Sequence, residues 1–313
     1  MRKIRTVFMG TPDFAVPCLT RLLDISEVVG VVTQPDKPRG RGQKLTPSPV
    51  KAAALAAGIP VYQPARVREA DFVRVLTEIA PELIVVVAFG QILPAELLAI
   101  PPLGCVNVHA SLLPRYRGAA PMQWCLMNGE KETGVTTMMM DAGLDTGDVL
   151  EQTTVDIGPD MTLAELHDTL SLKGAGLLAS TIGKMLDGTI RREKQDDTLS
   201  NYAPMIRRET GRIDWRKPAV AIHNLVRALD SWPGAYAELD GKMFKVWRTR
   251  VREDISGPAG EILDSFGTGL VVGTGSGAIE ILEFQAPGGR RLKALDYLRG
   301  HALPPGSRFA LYE

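Results

Sequence analysis

Over its first 190 residues the chain alternates compact apolar runs with stretches whose apolar residues recur at helical spacing. IRTVFMG (4–10) predicts a strand closed by glycine, and PDFAVPCLTRLLD after it predicts a helix. EVVGVVTQ (27–34) predicts a second strand, PVKAAALAAG (49–58) an Ala-rich helix, PVYQ a short strand and DFVRVLTEIA (71–80) another helix. ELIVVVAFG (82–90) is apolar without a break, as expected of a parallel strand covered by helices on both faces. VNVHA (106–110) predicts the next strand and PMQWCLMNG a helix; 133–157 reads as mixed β, and 162–186 as one long helix. Such alternation predicts an open, mostly parallel, Rossmann-like α/β sheet.

The texture then changes. DGTIRREKQDDTLSNYAP (187–204) is polar, charged and nearly free of large aliphatic residues, which reads as a connector. Beyond it one helix (219–229) precedes short apolar strands separated by Gly and Pro: GAYAEL, KMFKVWRTRV, GEILDS, GLVVGTG and AIEILEF. That pattern predicts a small OB-like β-barrel. The expected division is a first domain over 1–189, a linker over 190–206 and a C-terminal domain over 207–313.

Composition adds a few exclusions. A chain of 313 residues that is 45% hydrophobic can bury two cores. Lys+Arg and Asp+Glu both total 36, so overall charge points to no particular partner. Residues 1–200 hold 20 basic and 23 acidic residues, and 201–313 hold 16 and 13, a small shift toward positive charge. Cys18, Cys105 and Cys125 stand far apart without CxxC spacing, which argues for buried free thiols rather than disulfides or zinc. The N-terminal apolar run is too short for a signal peptide, and no window suits a membrane span. A cytoplasmic protein is expected, a monomer by default.

The candidate chemistry sits in NVHASLLPRYRGAAP (107–121). Asn107 and His109 are two apart on a strand and therefore share a face. Ser111, Leu112, Leu113 and Pro114 form the loop beyond it. A second cluster, DAGLDTGD (141–148), is a glycine-rich turn with three carboxylates. Taken alone, His109 could equally be an inert core histidine, and acidic glycine turns are usually only turns. Together, Asn, His and Asp suit stabilising an oxyanion and moving a proton at an acyl centre. They are thin ligation for a metal, and Ser111 lacks the G-x-S-x-G context of a nucleophile. Direct transfer between two bound substrates fits best.

N-x-H followed by SLLPxYxGxxP, and D-x-G-x-D-T-G some 35 residues on, resembles the 10-formyltetrahydrofolate-dependent formyltransferases. The resemblance implies the formyltransferase fold and a catalytic trio at Asn107, His109 and Asp145. It implies a pocket for the 10-formyltetrahydrofolate co-substrate at Phe89, Gly90, Gln91, Ile92 and Leu93, at Ser111 to Pro114, and along the turn from Asp141. No metal is implied. For the acceptor, GTPDFAVP (10–17) lacks the glycines and serines of a phosphate loop, against a ribonucleotide amine. The chain also leaves no room for a regulatory domain before its first strand, as deformylases would need.

Methionyl-tRNA formyltransferases and sugar-nucleotide N-formyltransferases remain. The loop TQPDKPRGRGQKLTPSPVK (33–51) and FMGTPDFAVP resemble the former. Lys37, Arg39, Arg41, Lys44 and Lys51 give that loop its positive charge, suited to an acceptor arm. Initiator methionyl-tRNA is the expected partner. Arg191, Arg192 and Lys194 in the linker, and Lys245 and Arg248 in the C-terminal strands, are further candidate contacts. A basic loop is more often a solvated face, and alternating aromatics more often core. A silent RNA-binding protein on the same fold is the alternative from another class. His167, His223 and His301 read as exposed, packing and capping residues, and Met138 to Met140 as strand core.

Overall fold

A computed structural model describes residues 3–39, 44–265 and 269–312. Two compact units emerge. One comprises Met1–Pro121, Glu132–Asp156 and His167–Ala203; the other comprises Met122–Lys131, Ile157–Leu166 and Pro204–Glu313.

The first unit is built on β1 (Arg5–Gly10), β2 (Glu27–Val32), β5 (Val61–Tyr62), β6 (Leu83–Val87), β7 (Cys105–His109), β9 (Glu132–Met139) and β10 (Val149–Asp156). A hairpin of β3 (Lys37–Arg39) and β4 (Lys44–Thr46) and a short β8 (Arg117–Gly118) complete the numbering to this point. The seven-stranded order is β10-β9-β7-β6-β1-β2-β5. Strands from β7 to β5 run parallel, whereas β9 is antiparallel to both β7 and β10. Helices α1 (Val16–Ile25), α2 (Pro49–Ala56), α3 (Ala70–Ile79) and α4 (Ala95–Leu98) supply the crossovers.

Local chemistry explains these elements. In α2 the Ser48 hydroxyl caps the helix by accepting the Lys51 N–H at 3.0 Å, with Pro49 just inside. All five residues of β6 are buried, as the unbroken apolar run requires. Each such side chain contributes about 1.5–3 kcal/mol on burial. Val7, Met9, Ile84 and Val86 pack with Phe72 and Leu76 of α3 and with Phe89, Leu93 and Leu97. Cys105 belongs to this cluster and Cys18 is buried in the same unit; burial pushes both thiols up to about 12, so they are inert packing residues.

The polar stretch after α6 (Leu163–Leu186) is built into the first unit. Val149 and Glu193 exchange backbone hydrogen bonds of 2.8 and 2.9 Å. β11 (Tyr202–Ala203) pairs in parallel with β8, and Gln195 is buried. Most of the stretch is exposed, as its polar composition suggests, but the buried Gln195 is used as a hydrogen-bonding strut.

In the second unit, α5 (Pro121–Met127, nearly all of it) and α7 (Ala219–Leu229) accompany β12 (Ala235–Leu239), β13 (Lys242–Arg252), β14 (Ile262–Asp264), β15 (Leu270–Gly273), β16 (Ala278–Gln285) and β17 (Leu292–Lys293). The antiparallel order is β12-β13-β16-β15-β14, with β17 on β16, forming a curled half-barrel. A final helix, α8 (Ala294–Leu298), follows. Its core gathers Trp215, Ile222, Val226, Phe244, Val246, Ile279, Ile281, Phe284 and Phe309. Among the described residues no helix is long and apolar enough to cross a membrane.

Candidate active site

The parallel register places Asn107 opposite Val86, so the loop leaving β6 and the end of β7 share one edge of the sheet. β9 runs the other way: His109 pairs with Thr136 and Val106 with Met139. The turn after β9 therefore starts near the beginning of β7 and folds back to bring Asp145 to His109. Gly147 permits the return, because a Cβ there would lie 1.8 Å from the Met139 carbonyl oxygen. Asp141 holds the turn by accepting from the Gly143 N–H at 3.0 Å and the Thr146 hydroxyl at 2.7 Å.

His109 and Asp145 are both largely buried, with Nδ1 3.7 Å from Oδ2. His109 Nε2 lies 2.9 Å from the Tyr116 carbonyl oxygen. A carbonyl only accepts, so Nε2 carries the hydrogen and donates it, which orients the ring. Nδ1 is then the basic nitrogen and faces the carboxylate. A proton arriving at Nδ1 makes an imidazolium with an acceptor on one side and a negative charge on the other. Asp145 Oδ2 also accepts the Gly118 N–H at 2.8 Å, which fixes the carboxylate. Asp145 itself is left-handed, with φ 54°, a region Asp tolerates better than most residues.

Asn107 is half-buried on the same strand face, and its carboxamide has no partner among the described residues. The loop of Ser111 to Pro114 is braced by Thr136, which donates to the Ser111 carbonyl at 2.6 Å and accepts the Leu113 N–H at 3.1 Å. Gln152 donates to the Leu113 carbonyl at 2.8 Å. The buried Ser111 hydroxyl donates to the Arg115 carbonyl at 2.6 Å, so it is engaged as a strut and not as a nucleophile.

In the loop after β6, the side chains of Phe89 and Leu93 are core. Gln91 braces residues 65–67, its Oε1 accepting the Val67 N–H at 2.9 Å. The Phe89 carbonyl accepts from Thr11 at 3.1 Å and Gln34 at 3.2 Å. Gly90 has φ 84° and is exposed with Ile92. What this loop offers a ligand is thus its backbone around Gly90 and the Ile92 side chain, 82% exposed. Leu144 on the acidic turn is also exposed, at 51%. Exposed apolar side chains beside open backbone suit a flat heteroaromatic ring with polar edges.

The basic candidates are less uniform than their sequence suggests. Lys37 is exposed on β3; of the Arg39 and Lys44 side chains nothing is described, and Arg41 lies outside the described residues. Lys51 is not free: it bonds Asp36 at 2.6 Å and Gln63 at 2.7 Å, anchoring the hairpin base. Gln63 in turn donates to the Gln34 carbonyl at 2.9 Å, so the hairpin base and the Phe89 loop share one network. Arg191, Arg192 and Lys194 are exposed. Lys245 donates to the Pro233 carbonyl at 2.9 Å and sits 5.2 Å from the Trp247 ring centre, which makes it a packing residue as well as a cation. Arg248 is exposed.

Sequence reasoning missed the struts: the Tyr116 carbonyl, the Gly118 N–H, Thr136, Gln152 and Gln195. Backbone groups carry no residue signature, and a lone Gln or Thr announces no chemistry. His223 is buried in the second unit, between Thr249 at 3.0 Å and the Pro159 carbonyl at 3.2 Å. Among the described residues no group of three or more His, Cys, Asp or Glu is placed to hold a metal.

Known proteins resemble the chain along both of its parts. A family model described as "Formyl transferase" matches residues 3–182, and one described as "Formyl transferase, C-terminal domain" matches 205–302. The chain is 55% identical over 309 residues to a methionyl-tRNA formyltransferase of Geobacter metallireducens, covering 98% of this chain and 99% of that protein. It is 50% identical over 307 residues to one from Caldanaerobacter subterraneus subsp. tengcongensis, covering 97% and 99%. In fold it is similar to the sugar 3N-formyl transferase WlaRD, with TM-score 0.68 and 22% identity over 90% of this chain and 97% of that one. It is also similar to HypX from Aquifex aeolicus in complex with tetrahydrofolic acid, with TM-score 0.64 and 18% identity over 95% of this chain and 47% of that one. Carrying both parts in order and matched along nearly its whole length, the chain belongs to the formyl transferase family.

Proposed function

We propose that this protein transfers the formyl group of 10-formyltetrahydrofolate to the amino group of methionyl initiator tRNA, giving N-formylmethionyl-tRNA for translation initiation. The observation that carries the reading is the identity of 50–55% to methionyl-tRNA formyltransferases over nearly the full chain; the pairing of His109 with Asp145 and the position of Asn107 two residues before His109 on β7 support it. When bound, 10-formyltetrahydrofolate supplies an activated acyl carbon. The exposed loops at Gly90–Ile92 and 141–144 hold it, and the apolar Ile92 and Leu144 exclude water from its rings.

The protein's residues divide the remaining work. Asn107 donates an N–H to the formyl oxygen as negative charge develops there. His109 receives at Nδ1 the proton that the attacking amine loses, and Asp145 stabilises the imidazolium. The proton is then available to the departing amine. An α-amine titrates at about 7.7–8.0 in peptides, so a useful share of acceptor is neutral near pH 7 and no strong base is needed. Lys37, Arg39 and Lys44 of the hairpin strands and Arg41 between them in sequence, with Arg191, Arg192 and Lys194, contact the tRNA backbone.

Steady-state transfer to methionyl initiator tRNA and to an amino-sugar nucleotide tests the reading. Preference for the tRNA supports it, whereas transfer to the sugar alone replaces it with the sugar-nucleotide reading. Transfer to neither leaves a binding protein.

A further inference from the structure

Gln195 lies in the polar stretch read from sequence as a linker, yet its side chain is buried and saturated with hydrogen bonds. Nε2 donates to the backbone carbonyls of Asp145 at 2.8 Å and Gly147 at 2.7 Å. Oε1 accepts from Arg117 Nε at 3.0 Å and Nη2 at 2.9 Å. Both donors and both lone pairs are used, and each partner dictates which end of the amide faces it. Arg117 reaches onward to Asp197 at 2.8 Å, and its neighbour Gly118 donates to the Asp145 carboxylate. One short segment, 117–118, therefore grips Asp145 twice: directly at the carboxylate, and through Gln195 at the backbone.

The need for that grip follows from the turn. Asp145 occupies a left-handed conformation, and such a residue holds only where its surroundings over-determine it. Within the turn, the hydrogen bonds among the described residues fix other positions: Asp141 binds Gly143 and Thr146. The amide bridges carbonyls 145 and 147, and so reaches Gly147, where a Cβ would run into the Met139 carbonyl oxygen.

We infer that Gln195, oriented by Arg117, is a positioning residue that sets the Asp145 carboxylate opposite His109 Nδ1. The inference rests on the proposed formyl transfer at that site and extends it. It also gives the 190s segment a second role: the stretch presenting Arg191, Arg192 and Lys194 braces the catalytic turn from its inner side. The candidate acceptor contacts and the brace of the carboxylate thus share one stretch of chain.

A double-mutant cycle tests this. Gln195→Glu keeps size and an acceptor for Arg117 but removes both donors and sets a carboxylate against two carbonyls; Gln195→Met removes all four bonds without charge. Each is measured alone and with Asp145→Asn, at saturating 10-formyltetrahydrofolate and methionyl initiator tRNA. We expect each single variant to lose about 10–50-fold in kcat, the range of residues sharing one network, with KM values within about threefold. In the Asp145→Asn background the same changes should cost under about twofold. Nitrogen-15 histidine spectra give a second readout: the His109 ring should shift in the Gln195 variants in the same direction as in Asp145→Asn, while His301 stays put. Additive losses, or Gln195 variants with unaltered kcat and His109 signals, would overturn the inference and leave the reading of the site intact. A neutral Asp145→Asn would overturn both.

Discussion

Asp145→Asn separates charge from shape at the proposed site. Asn tolerates a left-handed backbone and keeps an oxygen to accept the Gly118 N–H, so the turn should survive. What disappears is the negative charge facing His109 Nδ1 at 3.7 Å. At an effective dielectric of about 20, opposite unit charges at that separation attract by about 4–5 kcal/mol. A fully formed imidazolium in the transition state would then lose about 2,000-fold in rate, and a half-formed one about 40-fold. Single-turnover formylation of methionyl initiator tRNA, with donor saturating and folding checked by thermal melting, reads kcat directly. The expected loss lies between those bounds, with little change in KM for the folate. A folded variant within about threefold of the parent would refute the placing of proton and charge on the His109–Asp145 pair.

Other outcomes follow from the same geometry. Asn107→Ala removes an N–H donor aimed at developing charge and should cost about 10²–10³ in kcat, with folate binding retained by equilibrium titration. Gly147→Ala drives a Cβ into the Met139 carbonyl oxygen and should displace the acidic turn, lowering kcat at least about tenfold with only partial loss of stability. Reversing charge at Arg191, Arg192 and Lys194 should weaken tRNA binding at unchanged affinity for folate. It should also flatten the salt dependence, by about 0.9 in log–log slope for each duplex phosphate no longer neutralised. Burial holds His223 below the ordinary histidine range, opposed by the Pro159 carbonyl and Asp160 and aided by Arg227. Its native form is thus neutral while the unfolded chain still binds a proton, so stability should fall as pH drops below about 6.5, by at most about 1.4 kcal/mol per unit. Denaturant titrations at several pH values should show that slope, reduced in His223→Gln.

Elements were legible wherever one physical cause dominated. The unbroken apolar run at 83–87 had to be a strand with both faces covered, and the Ala-rich run from Pro49 read as a helix. The pairing direction of β9 was not legible, because alternation within a strand says nothing about its neighbour's direction. That direction decides why the acidic turn must fold back to reach His109. At the site, Asn107 and His109 stand out by residue type and spacing, whereas Asp145 is singled out among the three carboxylates of its turn only by the resemblance to formyltransferases. Gln195 does not stand out: it sits among charges, and only its tertiary partners reveal it as buried. Lys51 failed in the opposite sense. It counts as a loop cation in the sequence, but Asp36, next to the first hairpin strand, pairs with it.

The central claim is the identity of the acceptor on this formyl transferase scaffold. The most direct measurement supplies 10-formyltetrahydrofolate and compares kcat/KM for methionyl initiator tRNA with that for a 4-amino-sugar nucleotide, in the parent and in Arg41→Ala. The account predicts a strong preference for the tRNA that Arg41→Ala weakens without abolishing transfer. Equal or better transfer to the sugar, unaffected by Arg41→Ala, would contradict it.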